Sequence, residues 1–322
     1  MRIAPFAAVL LAAAAADAQT LLVLNKEGTL AFVDPGAKRV LATVRTGDSP
    51  HEVAASADGR FAVVSNYGTA ETPGKTLSVI DIASRKELHR FDLGPLRRPH
   101  GLFFADGKCY FTAEANKLIG RYDPAANAVD WLLGTGQNTT HMVMVASDGK
   151  IFTSNIGSNN ISVIEPAGVG NYSETVIDTG KGPEGFDISP DGKQLWTANS
   201  RDGTVTAIDL YTKRVLHTFG VQTKRSNRLK FTPDGRLVLI TDLDAGDLLI
   251  LERATRKETK RLKLGSQPAG ILITPDSARA YVAVTGNDNV AVIDLHTLDL
   301  ADRIKTGKGP DGMAWVARPA LP

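Results

Sequence analysis

Between Leu21 and Val316 the polar and apolar positions either alternate with a period of two or fall into short apolar runs. Thr204-Val205-Thr206-Ala207-Ile208-Asp209 and Asn289-Val290-Ala291-Val292-Ile293-Asp294 are representative. This is strand periodicity, and no stretch beyond residue 18 carries the i, i+3, i+4 pattern of a long amphipathic helix. The runs end at acidic residues: Asp34, Asp81, Asp123, Glu165, Asp209, Glu252 and Asp294. The intervals between them average about 43 residues, the mark of a stacked repeat. A second column consists of the tight-turn pairs Asp58-Gly59, Asp106-Gly107, Asp148-Gly149, Asp191-Gly192, Asp234-Gly235 and Asp276-Ser277. These turns number one fewer than the acidic ends, so one repeat lacks its first hairpin. Residues 21–25 read as a second strand without a first, and residues 312–316 as a first strand without a second. The pattern predicts an all-β seven-bladed propeller of four-stranded blades, closed by the C-terminal strand pairing into the N-terminal blade, which removes a sheet edge.

The first eighteen residues break this pattern. Arg2 precedes an Ala- and Leu-rich run over residues 3–16, followed by Ala16-Asp17-Ala18. This is the layout of a signal peptide with an A-x-A cleavage site, and the run is too short to span a bilayer. The expected organisation is a signal peptide over 1–18 and a single propeller domain over 19–322, periplasmic or secreted, with no membrane span after cleavage. A lone cysteine, Cys109, excludes an internal disulfide, so stability must come from core burial and sheet hydrogen bonds. A formal net charge of +2 gives no argument for nucleic acid. A monomer is expected.

The segments Tyr281-Val282-Ala283-Val284-Thr285-Gly286-Asn287, Leu195-Trp196-Thr197-Ala198-Asn199 and Ser189-Pro190-Asp191-Gly192 resemble the YVTN-type propeller repeat. The Gly-His and Trp-Asp signatures of the WD-type repeat are absent. The resemblance implies an exported bacterial seven-bladed propeller. It implies no activity, because that family spans binding proteins and enzymes.

Several motifs dissolve once placed on the repeat. The G-x-G-x-x-G matches at 180–185 and 307–312 both fall in linkers between blades with no helix following, so they are not dinucleotide fingerprints. Gly74-Lys75-Thr76 falls in a long hairpin loop of blade two, and Cys109 lies mid-strand as a buried structural thiol. Arg253, Arg256, Lys257, Lys260, Arg261 and Lys263 lie on the outer strands of blade six, where charge protects a sheet edge.

The informative column is the residue at the start of each innermost strand: Asp311, His51, His100, His141, Glu184, Asn227 and Ala269 in spatial order. It holds three of the chain's six histidines where chance would place about a tenth of one. In a propeller this column lies at the top mouth of the channel, so neighbours in the series are neighbours in space. His51, His100, His141, Glu184 and Asp311 are the expected ligands of a divalent transition metal. Uptake should then fail near the ordinary imidazole pKa of about 6.5. The next column is Gly101, Gly185, Gly270 and Gly312 in four blades but Glu52, Met142 and Arg228 in the others. A third column, Asn25, Asn66, Asn155 and Asn199, is broken by Glu114 and Asp242, with Tyr67 adjacent. Glu52 or Glu114 is the candidate base and Arg228 the group that steadies negative charge, with Tyr67, Asn227 and Asp242 contacting ligand. The expected partner is a small polar or anionic molecule, handled as a metal-dependent lyase, hydrolase or oxidoreductase would handle it. The alternative is a non-catalytic scaffold for protein or cell-envelope partners, indifferent to the three histidines.

Overall fold

A computed structural model describes residues 19–316, which form seven antiparallel four-stranded sheets. Blade two shows the plan, with strands Pro50–Ala55, Phe61–Gly68, Pro73–Asp81 and Lys86–Asp92 running from channel to rim. Blade one is assembled from both ends of the chain, in the order Pro310–Val316, Thr20–Asn25, Thr29–Asp34, Arg39–Arg45. There Leu21 stands opposite Trp315 and Leu22 opposite Ala314, so the ring is closed by the C-terminal strand as the missing hairpin predicts. Each innermost strand packs on the innermost strands of both neighbouring blades. The expected signal peptide lies outside the described residues, and among those described no helix is long and apolar enough to cross a membrane.

Burial falls from the middle of a blade to its rim, which explains the two kinds of hydrophobic pattern. Thr20–Asn25 and Leu237–Asp242 are buried throughout because sheets pack on both of their faces. Lys86–Asp92, at the rim, alternates exposed and half-buried residues. The acidic column closes turns: Asp34 Oδ1 accepts from the Gly36 and Ala37 amides, and Asp209 Oδ1 from the Thr212 amide. Four turns of the Asp-Gly column are held by a hydroxyl two residues earlier: Ser56 Oγ donates to Asp58 and Ser189 Oγ to Asp191, each at 2.6 Å, and Thr232 and Thr274 serve Asp234 and Asp276 in the same way. Cys109 is fully buried and its thiol pushed up by burial, an inert core side chain. Gly74-Lys75-Thr76 is not a free loop: Gly68 pairs with Pro73 and extends the hairpin ladder, and Lys75 Nζ bonds Asp92 at 2.7 Å.

The glycine column has a packing cause. A Cβ built on Gly101 would lie 2.6 Å from the His141 carbonyl oxygen, and one on Gly312 would lie 2.7 Å from that of His51. Gly185 and Gly270 face the Asn227 and Asp311 carbonyls in the same way. Adjacent innermost strands approach here too closely for a side chain.

Candidate functional site at the channel mouth

The candidate column occupies the second position of every innermost strand, and at that position the pairing with the second strand slips in all seven blades. A bulge leaves one residue out of the ladder and re-aims its side chain. In this ring it turns His51, His100, His141, Glu184, Asn227, Ala269 and Asp311 towards a shared cavity of about 220 Å³. Tyr67, Arg225, Arg228 and Lys26 complete much of its wall.

Within it the aromatic rings pack against one another. His100 and His141 lie with centroids 3.8 Å apart, and His51 stacks on Tyr67 at 4.4 Å. His51 Nδ1 and His100 Nε2 are 3.3 Å apart. Glu114 joins the histidines, which sequence reasoning had cast as a base apart from them. Its Oε1 receives His141 Nδ1 at 2.5 Å and its Oε2 receives the Tyr67 hydroxyl at 2.6 Å. Donor atoms of His100, Glu114 and His141 all lie within 4.8 Å of one another. The signal for Glu114 was present in the sequence as a departure from asparagine, but its partner was not.

The other expected ligands are engaged elsewhere. Glu184 accepts from Asn227 Nδ2 at 2.5 Å, and Asp311 pairs with Lys26 Nζ at 3.1 Å. Asp242 is fully buried and outside the cavity wall. Its carboxylate accepts the amides of Lys224, Arg225 and Ala245, so it shapes the loop that carries Arg225 to the mouth. Asn66, Asn155 and Asn199 likewise bond neighbouring hydroxyls, as turn-capping residues. Glu52 and Arg228, which replace glycine in their blades, form an ion pair through Glu52 Oε1 and Arg228 Nη2. Away from the mouth, His89 on the rim strand of blade two bonds the Tyr122 hydroxyl at 2.8 Å.

Burial keeps two of the three imidazoles, His51 and His100, neutral. Burial pushes His51 down to about 4, with Asp311 opposing and Lys26, His141 and Arg228 adding to the shift. Burial and the neighbouring His141 and His51 hold His100 well below its ordinary value. Burial alone would raise the Glu114 carboxyl, but the hydrogen bonds from His141 and Tyr67 outweigh it and hold it below the usual range. Tyr67 is correspondingly pushed up to about 12 by burial and by Glu114. Asp311 stays low because Lys26, His51 and Arg228 outweigh its burial. The carboxylate only accepts, so Nδ1 of His141 carries a proton, and in the neutral ring Nε2 presents a lone pair. That Nε2, together with His100 Nδ1 and Arg228 Nη1, is buried without a hydrogen-bond partner. Unpartnered buried polar atoms are costly, and here they converge on one cavity from three blades. In the tautomer in which His100 Nε2 donates to His51, His100 Nδ1 presents a lone pair beside that of the neutral His141, a set that suits a borderline metal ion, and a free guanidinium N–H suits an anion.

NirF of Pseudomonas aeruginosa is 22% identical over 317 residues, covering 94% of this chain and 70% of that protein. Among solved structures, Kuenenia stuttgartiensis hydrazine synthase superposes with a TM-score of 0.75 at 20% identity, over 87% of this chain and 93% of that one. The dihydro-heme d1 dehydrogenase NirN in complex with DHE gives 0.67 at 13% identity, over 93% and 75%. A putative 6-phosphogluconolactonase of Bacteroides uniformis gives 0.78 at 15%, over 94% and 100%. At these identities the likeness to solved structures establishes the fold alone. The family model described as YNCE-like beta-propeller matches residues 5–279. The chain is therefore a member of the YNCE-like β-propeller family.

Proposed function

We propose that this is an exported propeller of YVTN-type repeats that holds a divalent transition metal on His100 and His141 and binds a small anionic ligand beside it. The observation that carries this reading is the pair of buried, unpartnered nitrogens, His100 Nδ1 and His141 Nε2, in rings kept close by stacking. Glu114 supports it as the oriented carboxylate that fixes a metal-ligating imidazole and raises its basicity. A bound metal would supply Lewis acidity or an acidified water. The residues of this chain do the rest: Arg228 Nη1 takes the anion's charge, Tyr67 fixes Glu114, and His51 covers the open side. Asp311 and Glu184 set the field around the mouth through Lys26 and Asn227. Elemental analysis of untagged protein tests this. Stoichiometric transition metal that is lost in His100→Ala, with the thermal transition retained, supports the site. A wild type that stays metal-free after incubation with Zn, Fe, Cu, Ni and Mn overturns it and leaves the scaffold reading.

A second reading rests on the comparisons. NirF matches nearly the whole chain, and NirN is described as a dihydro-heme d1 dehydrogenase. In this reading the ligand is a haem-type macrocycle seated over the mouth, facing the half-exposed His51, with its carboxylates on Lys26 and Arg225. The cavity of about 220 Å³ is too small for a whole macrocycle, which would rest on the rim. Titration with haemin separates the two readings. A saturable Soret shift abolished by His51→Ala favours the macrocycle, and no shift favours the ion with a small anion.

A further inference from the structure

The largest cavity described is not at the channel mouth. It has a volume of about 680 Å³ and opens on the opposite face, among the Asp234-Gly235 turn and the loop after Glu252 in blade six, blade five's outer strand and the turn at Leu295. That size is typical of a small-molecule site, generally about 300–1,000 Å³. Its floor is apolar: Trp196, Ala207, Leu237 and Leu295 are all buried side chains. Its outer wall is Leu216, 41% exposed on the rim strand Arg214–Gly220.

Arg236, Arg253 and Arg256 line its rim together with Glu252. The three arginines are not equivalent. Arg236 pairs with Asp234 at 3.0 Å and Arg253 with Asp191 at 2.9 Å, whereas Arg256 makes no ion pair among the described residues. Arg256 also sits at φ 60°, its amide bonded to the Glu252 carbonyl at 2.8 Å, so the turn fixes where its side chain departs. On the adjoining rim strand, Lys260 pairs with Asp299, Arg261 with Glu258 and Lys263 with Asp247, while Lys257, outside the cavity wall, makes no ion pair among the described residues. Edge protection accounts for those residues. It leaves Arg256, in the cavity wall, unexplained.

We infer that this cavity is a second ligand site, for an amphiphilic organic anion whose apolar body lies on Trp196 and Leu216 and whose acid group meets Arg256. His217 and His296 at the rim offer further donors to the acid group. The site is independent of the channel mouth, on the other face and on blades five to seven.

The test uses the mature protein and two probes, 8-anilinonaphthalene-1-sulfonate followed by fluorescence and decanoate as competitor. One saturable sulfonate site is expected, displaced by decanoate and not by decylamine, which has the same tail and the opposite charge. Arg256→Asn, a residue that tolerates the left-handed turn, and Leu216→Asp should each weaken binding about 10-fold or more. Both positions are exposed, and an unchanged thermal transition confirms that each variant folds. Absence of saturable binding overturns the inference, as does unchanged affinity in either variant or equal displacement by decylamine.

Discussion

Arg228 of blade six and Glu52 of blade two pair across the channel although two blades separate theirs along the shorter way round the ring. Both side chains are nearly buried, at 8% and 12% exposure, and both replace the glycine that packs the innermost strands elsewhere. Burial lowers the affinity of Arg228 for its proton, but Glu52, Asp311 and Glu184 together more than restore it, so the guanidinium stays charged. The pair ties opposite sides of the ring together beneath the imidazoles and leaves one guanidinium nitrogen for a ligand.

Removing one partner should therefore be worse than removing both. Arg228→Met leaves a buried carboxylate without its counter-charge and should cost about 3–5 kcal/mol. The double variant Arg228→Met with Glu52→Gln should recover a substantial part of that loss. Urea unfolding midpoints measure both, and a single variant as stable as wild type would show that the pair does not bridge the channel in solution.

Closure of the ring gives a second prediction. Pro310–Val316 is the inner strand of blade one and pairs with Leu21, Leu22 and Val23, all fully buried. Deleting residues 310–322 would expose that strand as an edge and open the channel wall between blades two and seven. The expected result is loss of the cooperative thermal transition. A truncated protein that still melts in one sharp step would contradict closure by this strand.

Much of this was legible in the sequence because the repeat makes each observation sevenfold. Strand ends, turn aspartates and the mouth column recur at fixed offsets, so His51, His100 and His141 identify themselves as exceptions within a column. The pairings that give the column its chemistry were not legible. Glu114 and His141 are 27 positions apart and Glu52 and Arg228 are 176 apart. Nothing in their local spacing encodes which side chain turns towards which. Asp242 misled for a related reason. It departs from asparagine as Glu114 does, but its strand holds it among three backbone amides, outside the cavity. The sequence likewise offered no sign of the bulge, because slipping a ladder by one residue leaves the residue order unchanged.

Burial of the histidines predicts a pH dependence different from that of free imidazole. In the unfolded chain His51 titrates near its ordinary value of 6.5, and in the folded protein at about 4. Its folded pKa is depressed, so its contribution to stability is complete above pH 6.5 and is lost as pH falls from there to about 4. His100 shifts in the same direction. Each extra proton taken up by the unfolded chain contributes a slope of about 1.4 kcal/mol per pH unit. The turn carboxylates act lower still: Asp191, held down to about 2 by the Ser189 hydroxyl and, against some burial, by Arg253, loses its contribution only below pH 4. Stability measured between pH 6.5 and about 5.5, above the range in which Glu114 and the turn aspartates take up protons in the unfolded chain, therefore isolates the histidines. It should fall in wild type and fall less in His51→Gln, and equal slopes would refute the buried neutral state. Metal uptake through His100 should correspondingly persist below pH 6.5, since protons compete poorly for a ring that burial holds neutral.

The Glu114 carboxylate gives the most direct test of the mouth as a metal centre. It accepts from His141 Nδ1 and from Tyr67, which fixes the tautomer and the plane of the imidazole and leaves Nε2 as the free donor. Glu114→Gln keeps the shape and one acceptor oxygen but removes the charge that raises the ring's basicity. Loss of such an outer partner typically weakens metal binding about 10- to 100-fold. Tyr67→Phe removes one of the two hydrogen bonds to Glu114 without touching the histidine, and should weaken binding by less. Zinc affinity measured by competition with a chromophoric chelator should thus rank wild type above Tyr67→Phe and Tyr67→Phe above Glu114→Gln, with thermal transitions retained throughout. Equal affinities in wild type and Glu114→Gln would mean that any bound metal is held by other groups, and that the Tyr67, Glu114 and His141 chain serves the fold alone.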